Sequence, residues 1–256
     1  MKAMTYEEFL KSKQRIIKPS GFDCIPENKC LFDFQRDIAR WALKKGKAAI
    51  FLDTGLGKTI IQLSWADEIC KHTNSKVLIL APLAVSGQTI REGEKFGIRA
   101  NACRSQIDVK DGINITNYEM LHHFNINKFA GVILDESSII KSFSGKTTQQ
   151  MLDLFKFTEY KLACTATPAP NDYEELGNHA EFLGVMSRSE MLATFFVHDS
   201  GDTAKWRLKG HAETEFWKWI ASWAMVVKNP EDLGYDGSKY KLPKLNIQTH
   251  FVESSN

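Results

Sequence analysis

Residues 53–59 read Asp-Thr-Gly-Leu-Gly-Lys-Thr, and an apolar run at 48–52 precedes them directly. That run has the length and composition of a buried strand, whereas the amphipathic segment at 59–70 has those of a helix. Glycine allows a turn tight enough for successive backbone N–H groups to surround an anion, and the positive end of a helix adds to that attraction. A glycine-rich turn between a strand and a helix, ending in Lys-Thr, therefore predicts a phosphate-binding loop.

This loop predicts how a nucleotide is held and where its metal ion lies. Lys58 is expected to reach the terminal phosphates, and the hydroxyl of Thr59 is expected to ligate Mg²⁺. The strict pattern of such loops has glycine at the position of Leu52, so this chain departs from the pattern there. The residues expected to bind the nucleotide through this loop are Thr54, Gly55, Leu56, Gly57, Lys58 and Thr59.

A pair of carboxylates follows a second apolar run. Residues 132–134 are Val-Ile-Leu, and Asp135 and Glu136 come directly after them. At a strand end beside the loop, Asp135 is expected to ligate Mg²⁺, and Glu136 to orient and deprotonate an attacking water molecule. Together with Lys58 they form the predicted catalytic set. An apolar strand that ends in Asp-Glu is common, so this interpretation depends on the phosphate-binding loop upstream.

Two further segments belong to the predicted nucleotide site. Phe34 and Gln35 precede the loop, and a glutamine amide can pair with one donor and one acceptor of adenine. Thr165 and Thr167 follow another apolar run, where two hydroxyls would lie beside the terminal phosphate and sense the state of the nucleotide. Taken alone, these residues would be a surface glutamine at a helix start and an ordinary exit from a strand.

The composition is that of an ordinary globular protein, with 256 residues of which 43% are hydrophobic and 25% charged. This length suffices for one large domain or two small ones. The sequence has no apolar run long enough to span a membrane, and Glu7 and Glu8 lie where a signal peptide needs an apolar core. Five scattered cysteines without a C-x-x-C pair favour a reducing cytoplasm over a disulfide scaffold or zinc ribbon. The net charge of +2 neither requires nor excludes a nucleic-acid partner.

Apolar runs alternate with helix-length amphipathic segments over most of the chain. Continuous apolar strands are typical of a sheet that is covered on both faces, so the alternation predicts an α/β domain with a central, mostly parallel sheet flanked by helices. The strand-like runs lie at 48–52, 77–81, 113–116, 132–134 and 161–164. The helical segments lie at 35–45, 59–70, 85–96 and 147–155.

The alternation stops near residue 184, and residues 185–228 are expected to form a helical appendage. A stripe of four large apolar side chains follows helical spacing there, which favours packing of the stripe on the α/β core. A surface for nucleic acid or another partner is the alternative, because basic residues interleave with the aromatic ones. The stripe residues are Phe216, Trp219, Ile220 and Trp223, and the basic residues are Lys205, Arg207, Lys209 and Lys218.

Six motifs, in order, are similar to those of the first RecA-like lobe of superfamily 2 helicases and translocases, a group that includes DEAD-box and DEAH-box proteins. The segments at 115–121 and 165–183 most resemble the Swi/Snf-type branch, and the whole resembles the compact helicases of phages and prophages. Residues 135–138 read Asp-Glu-Ser-Ser rather than Asp-Glu-Ala-His or Asp-Glu-Ala-Asp, which is a departure. The six motifs are Phe34-Gln35, 53–59, 81–83, 115–121, 134–138 and 165–168.

The resemblance implies a role for each motif. Gln35 would read the adenine of ATP, while Asp135 and Glu136 would serve Mg²⁺ and the attacking water. The hydroxyls of Thr165 and Thr167 would couple hydrolysis to lobe motion. Contacts to a nucleic-acid backbone, with duplex DNA favoured over RNA, are implied for Pro82, Leu83, Asn117 and Tyr118.

The resemblance also divides the chain into four parts. A helix opened by a capping box of Thr5 and Glu8 is expected near the start, and a strand-like piece at 245–252 near the end. Too little sequence follows the last motif for a second RecA-like lobe. The four parts are an N-terminal helix and loop at 1–30, a RecA-like ATP-binding lobe at 31–184, a helical protrusion at 185–228, and a linker toward an absent second lobe at 229–256.

The leading hypothesis is the ATP-binding motor lobe of a cytoplasmic, ATP-dependent DNA helicase or translocase, weakly active until a second lobe from the same or another chain completes the site. A nucleotide-gated module that binds DNA or a protein without moving is the alternative. A phosphotransferase acting on a small substrate is less favoured, because Phe34, Gln35 and the two threonines have no role in one.

Overall fold

The computed structural model describes residues 17–142, 145–199 and 202–240. The helix expected around Thr5 and Glu8 and the strand expected at 245–252 lie outside these residues. The strands are β1 (Lys47–Leu52), β2 (Lys76–Ala81), β3 (Ala100–Ala102), β4 (Ile113–Asn117), β5 (Phe129–Asp135), β6 (Tyr160–Thr165), β7 (Phe196–Asp199), β8 (Asp202–Leu208) and β9 (Ala224–Val227). The helices are α1 (Asp33–Lys45), α2 (Lys58–Thr73), α3 (Leu83–Lys95), α4 (Lys146–Leu154), α5 (Leu176–Leu183), α6 (Arg188–Phe195) and α7 (Glu213–Trp223).

Seven parallel strands form one sheet in the order β3-β4-β2-β5-β6-β1-β9. Each of the five predicted strands is present in this sheet, and each of the four predicted helices is present beside it. Because all strands run the same way, their carboxyl ends meet at a single edge. The loops that leave β1, β2, β4, β5 and β6 therefore lie side by side, although they come from distant parts of the sequence.

Hydrophobic side chains cover both faces of the sheet. Leu78 and Leu80 belong to the cluster on one face, and Ile79 between them belongs to the cluster on the other, as the two-residue period of a strand requires. Residues from α1 and α2 complete one cluster, whereas residues from α4, α5, α6 and α7 complete the other. This two-sided burial explains why the strands read as continuous apolar runs.

The structure corrects the expectation that 185–228 is helical throughout. The antiparallel hairpin of β7 and β8 separates α6 from α7, and β9 then joins the central sheet beside β1. A four-residue strand is too short to show a period, so β9 could not be separated from the end of the preceding helix in the sequence. The strand β9, at one end of the sheet, therefore belongs to the segment that the sequence predicts to be a helical appendage.

The aromatic stripe of α7 packs on the core, as its helical spacing predicts. Phe216, Ile220 and Trp223 are buried, and Trp219 packs against them with part of its surface exposed. Trp217, on the next face of the helix, keeps 38% of its surface exposed. The stripe therefore fixes α7 to the sheet rather than forming a free surface. Among the described helices, none combines the length and the apolar character that a membrane span requires.

Candidate nucleotide site

The phosphate-binding loop begins one residue later than the strict pattern requires. Leu52 is the last residue of β1, is fully buried, and pairs with Val227 of β9. The N–H of Asp53 still donates to the carbonyl of Val227 at 3.1 Å, so strand pairing continues into the first loop residue. Leucine at position 52 is thus explained, because the chain is extended there and needs no glycine.

Both glycines of the loop adopt left-handed backbone conformations. Gly55 has φ of 84° and Gly57, directly before α2, has φ of 80°. A Cβ atom on Gly57 would also collide with the side-chain amide of Gln35, whereas one on Gly55 would meet nothing within 4 Å. Gly57 is therefore required both by its conformation and by the close approach of α1, and the loop is open at Gly55.

Gln35 links the first turn of α1 to the loop. Its Oε1 accepts from the backbone N–H of Phe32 at 3.0 Å, and its Nε2 donates to the carbonyl of Leu56 at 3.0 Å. The side chain is buried, with 4% of its surface exposed. Gln35 is thus in direct contact with the loop.

The aromatic ring exposed near this glutamine is that of Phe32, whereas Phe34, which the sequence indicated, is buried. Phe34 is buried and packs against Tyr235 and Tyr240, so its ring is not available to a nucleotide. Phe32 is 61% exposed, and its ring lies parallel to that of Phe34 with centroids 6.4 Å apart. A signal for this was present, since Phe34 and Ile38 have the i, i+4 spacing of a buried helical face.

The ammonium group of Lys58 lies at the start of the loop. Its Nζ donates to the carbonyl of Leu52 at 3.0 Å and to that of Asp53 at 3.4 Å. Lys58 and the neighbouring Thr59 are half-buried. The positive charge therefore sits beside the backbone that is expected to hold phosphate.

Asp135 and Glu136 lie next to the loop, as expected for two carboxylates at the end of β5. Burial, together with the charge of Glu136, raises the pKa of Asp135, and the hydrogen bond from Gln62 and the positive charge of Lys58 oppose that rise. Oδ1 of Asp135 accepts from Nε2 of Gln62 at 2.7 Å. Sequence reasoning missed Gln62, which lies one helical turn after Lys58 on α2 and so faces the same side.

The two threonines at the end of β6 connect to Glu136. Oγ1 of Thr165 donates to Oε2 of Glu136 at 3.3 Å, and the N–H of Thr167 donates to Oγ1 of Thr165 at 3.1 Å. The strands β5, β6 and β1 are neighbours in the sheet, which brings this pair to the loop. The structure therefore gathers the carboxylates, the loop and the threonines at one edge.

The donor set fits a nucleoside triphosphate with Mg²⁺. Thr59 and Asp135 offer hard oxygen ligands, and a buried carboxylate with a raised pKa gains from a nearby cation. Within the described ranges, no group of three or more His, Cys, Asp or Glu side chains could hold a metal ion alone. Mg²⁺ needs only one or two protein ligands when phosphate oxygens supply the rest.

The residues predicted to contact nucleic acid lie along the same edge, farther from the loop. Ala81 and Asn117 are register partners, so Pro82 and Leu83 lie beside Asn117 and Tyr118. Leu83 is 73% exposed. Asn117 uses its side-chain oxygen to accept from the N–H of Met120 at 3.0 Å.

Tyr118 differs from these neighbours because its side chain is buried. Its hydroxyl donates to the backbone carbonyl of Asp135 at 2.6 Å, and burial raises its pKa well above the ordinary value. The ring therefore offers no surface to a nucleic acid. Instead it connects the edge at Asn117 to the carboxylate pair.

Comparisons with known proteins agree with this architecture. No curated protein sequence shows a significant match. The SWI2/SNF2 ATPase core domain of Sulfolobus solfataricus is similar, with a TM-score of 0.66 and 22% identity over 87% of this chain and 48% of that chain. The same core in complex with dsDNA gives a TM-score of 0.64 and 22% identity over 81% of this chain and 47% of that chain. The UvsW helicase from bacteriophage T4 gives a TM-score of 0.50 and 13% identity over 72% of this chain and 66% of that chain.

These structural similarities confirm the predicted α/β, RecA-like fold. The chain spans about half the length of the Sulfolobus structures. A sequence model of the SNF2-related domain matches residues 34–196, which is more than half of the chain and includes the loop, the carboxylate pair and the threonines. The chain therefore belongs to the SNF2-related domain family, as its Swi/Snf-type motifs indicated.

Proposed function

We propose that this chain is the ATP-binding motor lobe of an ATP-dependent DNA helicase or translocase. The observation that carries the proposal is the convergence of the loop at Gly55–Thr59, the pair Asp135 and Glu136, and Thr165 at one edge of a parallel sheet. Membership of the SNF2-related domain family supports the same activity. A site for nucleotide hydrolysis needs a phosphate cradle, a ligand for the metal ion and a base for water, and these three groups would fill those roles.

Each residue would act on a different part of the reaction. Lys58 would place its charge on the transferring phosphoryl group, and Thr59 and Asp135 would hold Mg²⁺. Mg²⁺ bound there would neutralise charge that develops on the phosphate oxygens. Glu136 would orient the attacking water and accept its proton, with Thr165 holding one of its carboxylate oxygens in place.

Adenine recognition is assigned to Gln35 and Phe32 together. The amide of Gln35 keeps one donor and one acceptor beyond the two hydrogen bonds described above, which suits the edge of adenine. Phe32 offers the face of an exposed ring three residues earlier in the chain. A flat base can stack on such a ring at little cost in side-chain entropy.

Phe32→Ala is expected to weaken ATP binding about fivefold to tenfold, because stacking of a base on an aromatic ring contributes about 1 kcal/mol or more. Titration of a fluorescent ATP analogue measures the dissociation constant. Phe157→Ala is a matched control, since Phe157 is 89% exposed and lies at the opposite edge of the sheet. Equal affinities for the wild type and Phe32→Ala would remove Phe32 from the site.

We propose that the protein moves along duplex DNA and binds it through the sugar-phosphate backbone. The similar Sulfolobus core was solved in complex with dsDNA, and in this chain exposed Leu83 lies beside Pro82 and Asn117 at the carboxyl edge of the sheet. Backbone contacts need no base reading, which suits a protein that moves along any sequence. Because the hydroxyl of Tyr118 donates to the carbonyl of Asp135, a shift of the backbone at this edge would also move Asp135.

A second RecA-like lobe, in the same polypeptide or another, is part of the proposal. In related nucleotide hydrolases an arginine on the terminal phosphate contributes on the order of 10³–10⁵ in rate. We therefore expect slow ATP turnover by these 256 residues alone.

The proposal is tested by measuring ATP turnover with and without duplex DNA, before and after a polypeptide bearing a second lobe is added. Stimulation by DNA that depends on the second lobe is the expected result. Nucleotide-dependent DNA binding without any turnover would favour the gated binding module instead. Transfer of phosphate to a small molecule would favour a phosphotransferase.

A further inference from the structure

The turn after β5 holds Glu136 in an unusual backbone conformation. Glu136 has φ of 52° and ψ of 53°, and among the described non-glycine residues only Asn74 shares a positive φ. The left-handed region costs a glutamate about 1 kcal/mol or more, so the surrounding structure must fix it. This conformation sets the direction of the Glu136 side chain, whose carboxylate accepts the hydrogen bond from Thr165.

Two neighbouring residues of α5 hold this turn at both of its ends. Oγ of Ser137 and Nε2 of His179 lie 3.0 Å apart, and both side chains are fully buried. Nδ2 of Asn178 donates to the carbonyls of Ile140 and Lys141, at 2.8 Å each. The short helical turn Ser137–Ile140 is therefore held at its first residue and at its last.

The imidazole of His179 is suited to a permanent contact. Burial lowers its pKa to about 4, so the ring is neutral at physiological pH. It also packs edge-on against the ring of Phe51 in β1, with centroids 5.3 Å apart. His179 thus has a fixed orientation between β1 and Ser137, and the hydrogen bond to Ser137 links that framework to the residue after Glu136.

We propose that Asn178 and His179 form a clamp that sets the backbone of Glu136 and thereby the direction of its carboxylate. This inference rests on the proposed hydrolysis of ATP. Both clamp residues act through the turn and touch no reacting group, so they are positioning residues. The clamp also gives a role to the third residue of the Asp-Glu-Ser-Ser box, because alanine at Ser137 would offer no hydroxyl to His179.

The clamp is tested with Ser137→Ala, His179→Leu and the double variant, each assayed for kcat and KM of ATP hydrolysis under the most active conditions of the wild type. Each single variant is expected to lower kcat about tenfold, with KM within about twofold, because a misplaced base slows chemistry without loosening the nucleotide. The double variant should be no slower than the slower single variant, since both remove the same bond. His179→Gln, which can still reach Ser137, should recover most of kcat, and His72→Leu is a surface control.

Hydrogen exchange of the nucleotide-free chain provides a readout that does not depend on turnover. The amides of Ser137–Ile140 should exchange faster in Ser137→Ala and His179→Leu, while amides of β1 and β2 stay unchanged. Unchanged exchange, or unchanged kcat in both folded single variants, would overturn the clamp. The clamp would also be overturned if the losses of kcat in the two single variants added up in the double variant and amide exchange rose throughout the chain. Ser137 and His179 would then act only on the stability of the fold. Equal turnover by the wild type and Glu136→Gln would instead refute the proposed role of Glu136 as the base, and an absence of wild-type turnover under every condition would refute the proposed hydrolysis.

Discussion

Lys58→Ala is expected to reduce ATP turnover by more than about a hundredfold, which places it among the most damaging single substitutions in this chain. The ammonium group of Lys58 contacts the carbonyls of Leu52 and Asp53, at the start of the loop that is proposed to hold the phosphates. A fixed positive charge at that point stabilises negative charge on the transferring phosphoryl group. Alanine removes the charge and leaves the loop glycines in place, so the fold should persist.

Steady-state turnover with saturating ATP and Mg²⁺ measures this effect, and circular dichroism checks that the variant is folded. Lys128→Ala is the matched control, because Lys128 is an exposed lysine that lies just before β5, away from the loop. We expect the control to match the wild type within about twofold. Wild-type turnover by folded Lys58→Ala would show that the activity comes from another site.

Glu136→Gln is expected to separate binding from hydrolysis. Glutamine keeps the size of the side chain and can still bond to Thr165, but it cannot accept a proton from water. Turnover should fall by about 10²–10⁴-fold, the range that general-base catalysis contributes. The affinity for ATP should stay close to that of the wild type, because the phosphates are proposed to be held by the loop.

Asp135→Asn should give the contrasting result, since it removes a proposed ligand of Mg²⁺. Its ATP affinity should fall in the presence of Mg²⁺ and depend less on the metal ion than that of the wild type. Glu94→Gln, an exposed position near the end of α3, controls for the loss of one negative charge. If Glu136→Gln turned over ATP as fast as the wild type, Glu136 would not be the base.

Local sequence patterns predict the strands of the sheet and the loop at 53–59, because both depend on residues that are adjacent in the chain. Apolar runs of four to six residues identify buried strands, and the loop at 53–59 lies directly between β1 and α2. The parallel topology then follows from the alternation with helices, and it brings Asp135 to the loop without further information. The candidate residues of the site therefore follow the carboxyl ends of parallel strands, where ligands of such sheets bind.

Features that depend on distant contacts could not be predicted in the same way. β9 is a strand because β1 leaves an edge for it to pair with, and nothing in its own four residues shows this. Tyr118 is buried with its hydroxyl bonded to the carbonyl of Asp135, which lies seventeen positions later in the sequence. The partner of Ser137 is likewise set by the packing of α5, which brings His179 to it from 42 positions away in the sequence.

The expectation that Phe34 contacts the nucleotide failed for a reason that lies in the helix α1. Both are aromatic and both lie near Gln35, so proximity in the sequence could not choose between them. The phase of α1 decides the matter, because Phe34 faces the core with Ile38 while Phe32, just before the helix, stays exposed. A helical-wheel argument applied to the first turn would have assigned Phe34 to the core.

The central claim is that the loop at Gly55–Thr59 and the carboxylates Asp135 and Glu136 serve one nucleotide. A crystal structure of the chain with a non-hydrolysable ATP analogue and Mg²⁺ tests it most directly. We predict the triphosphate against the loop amides, with the metal ion held by Thr59 and facing Asp135. A nucleotide bound elsewhere, or no triphosphate at the loop amides at saturating analogue, would contradict the account.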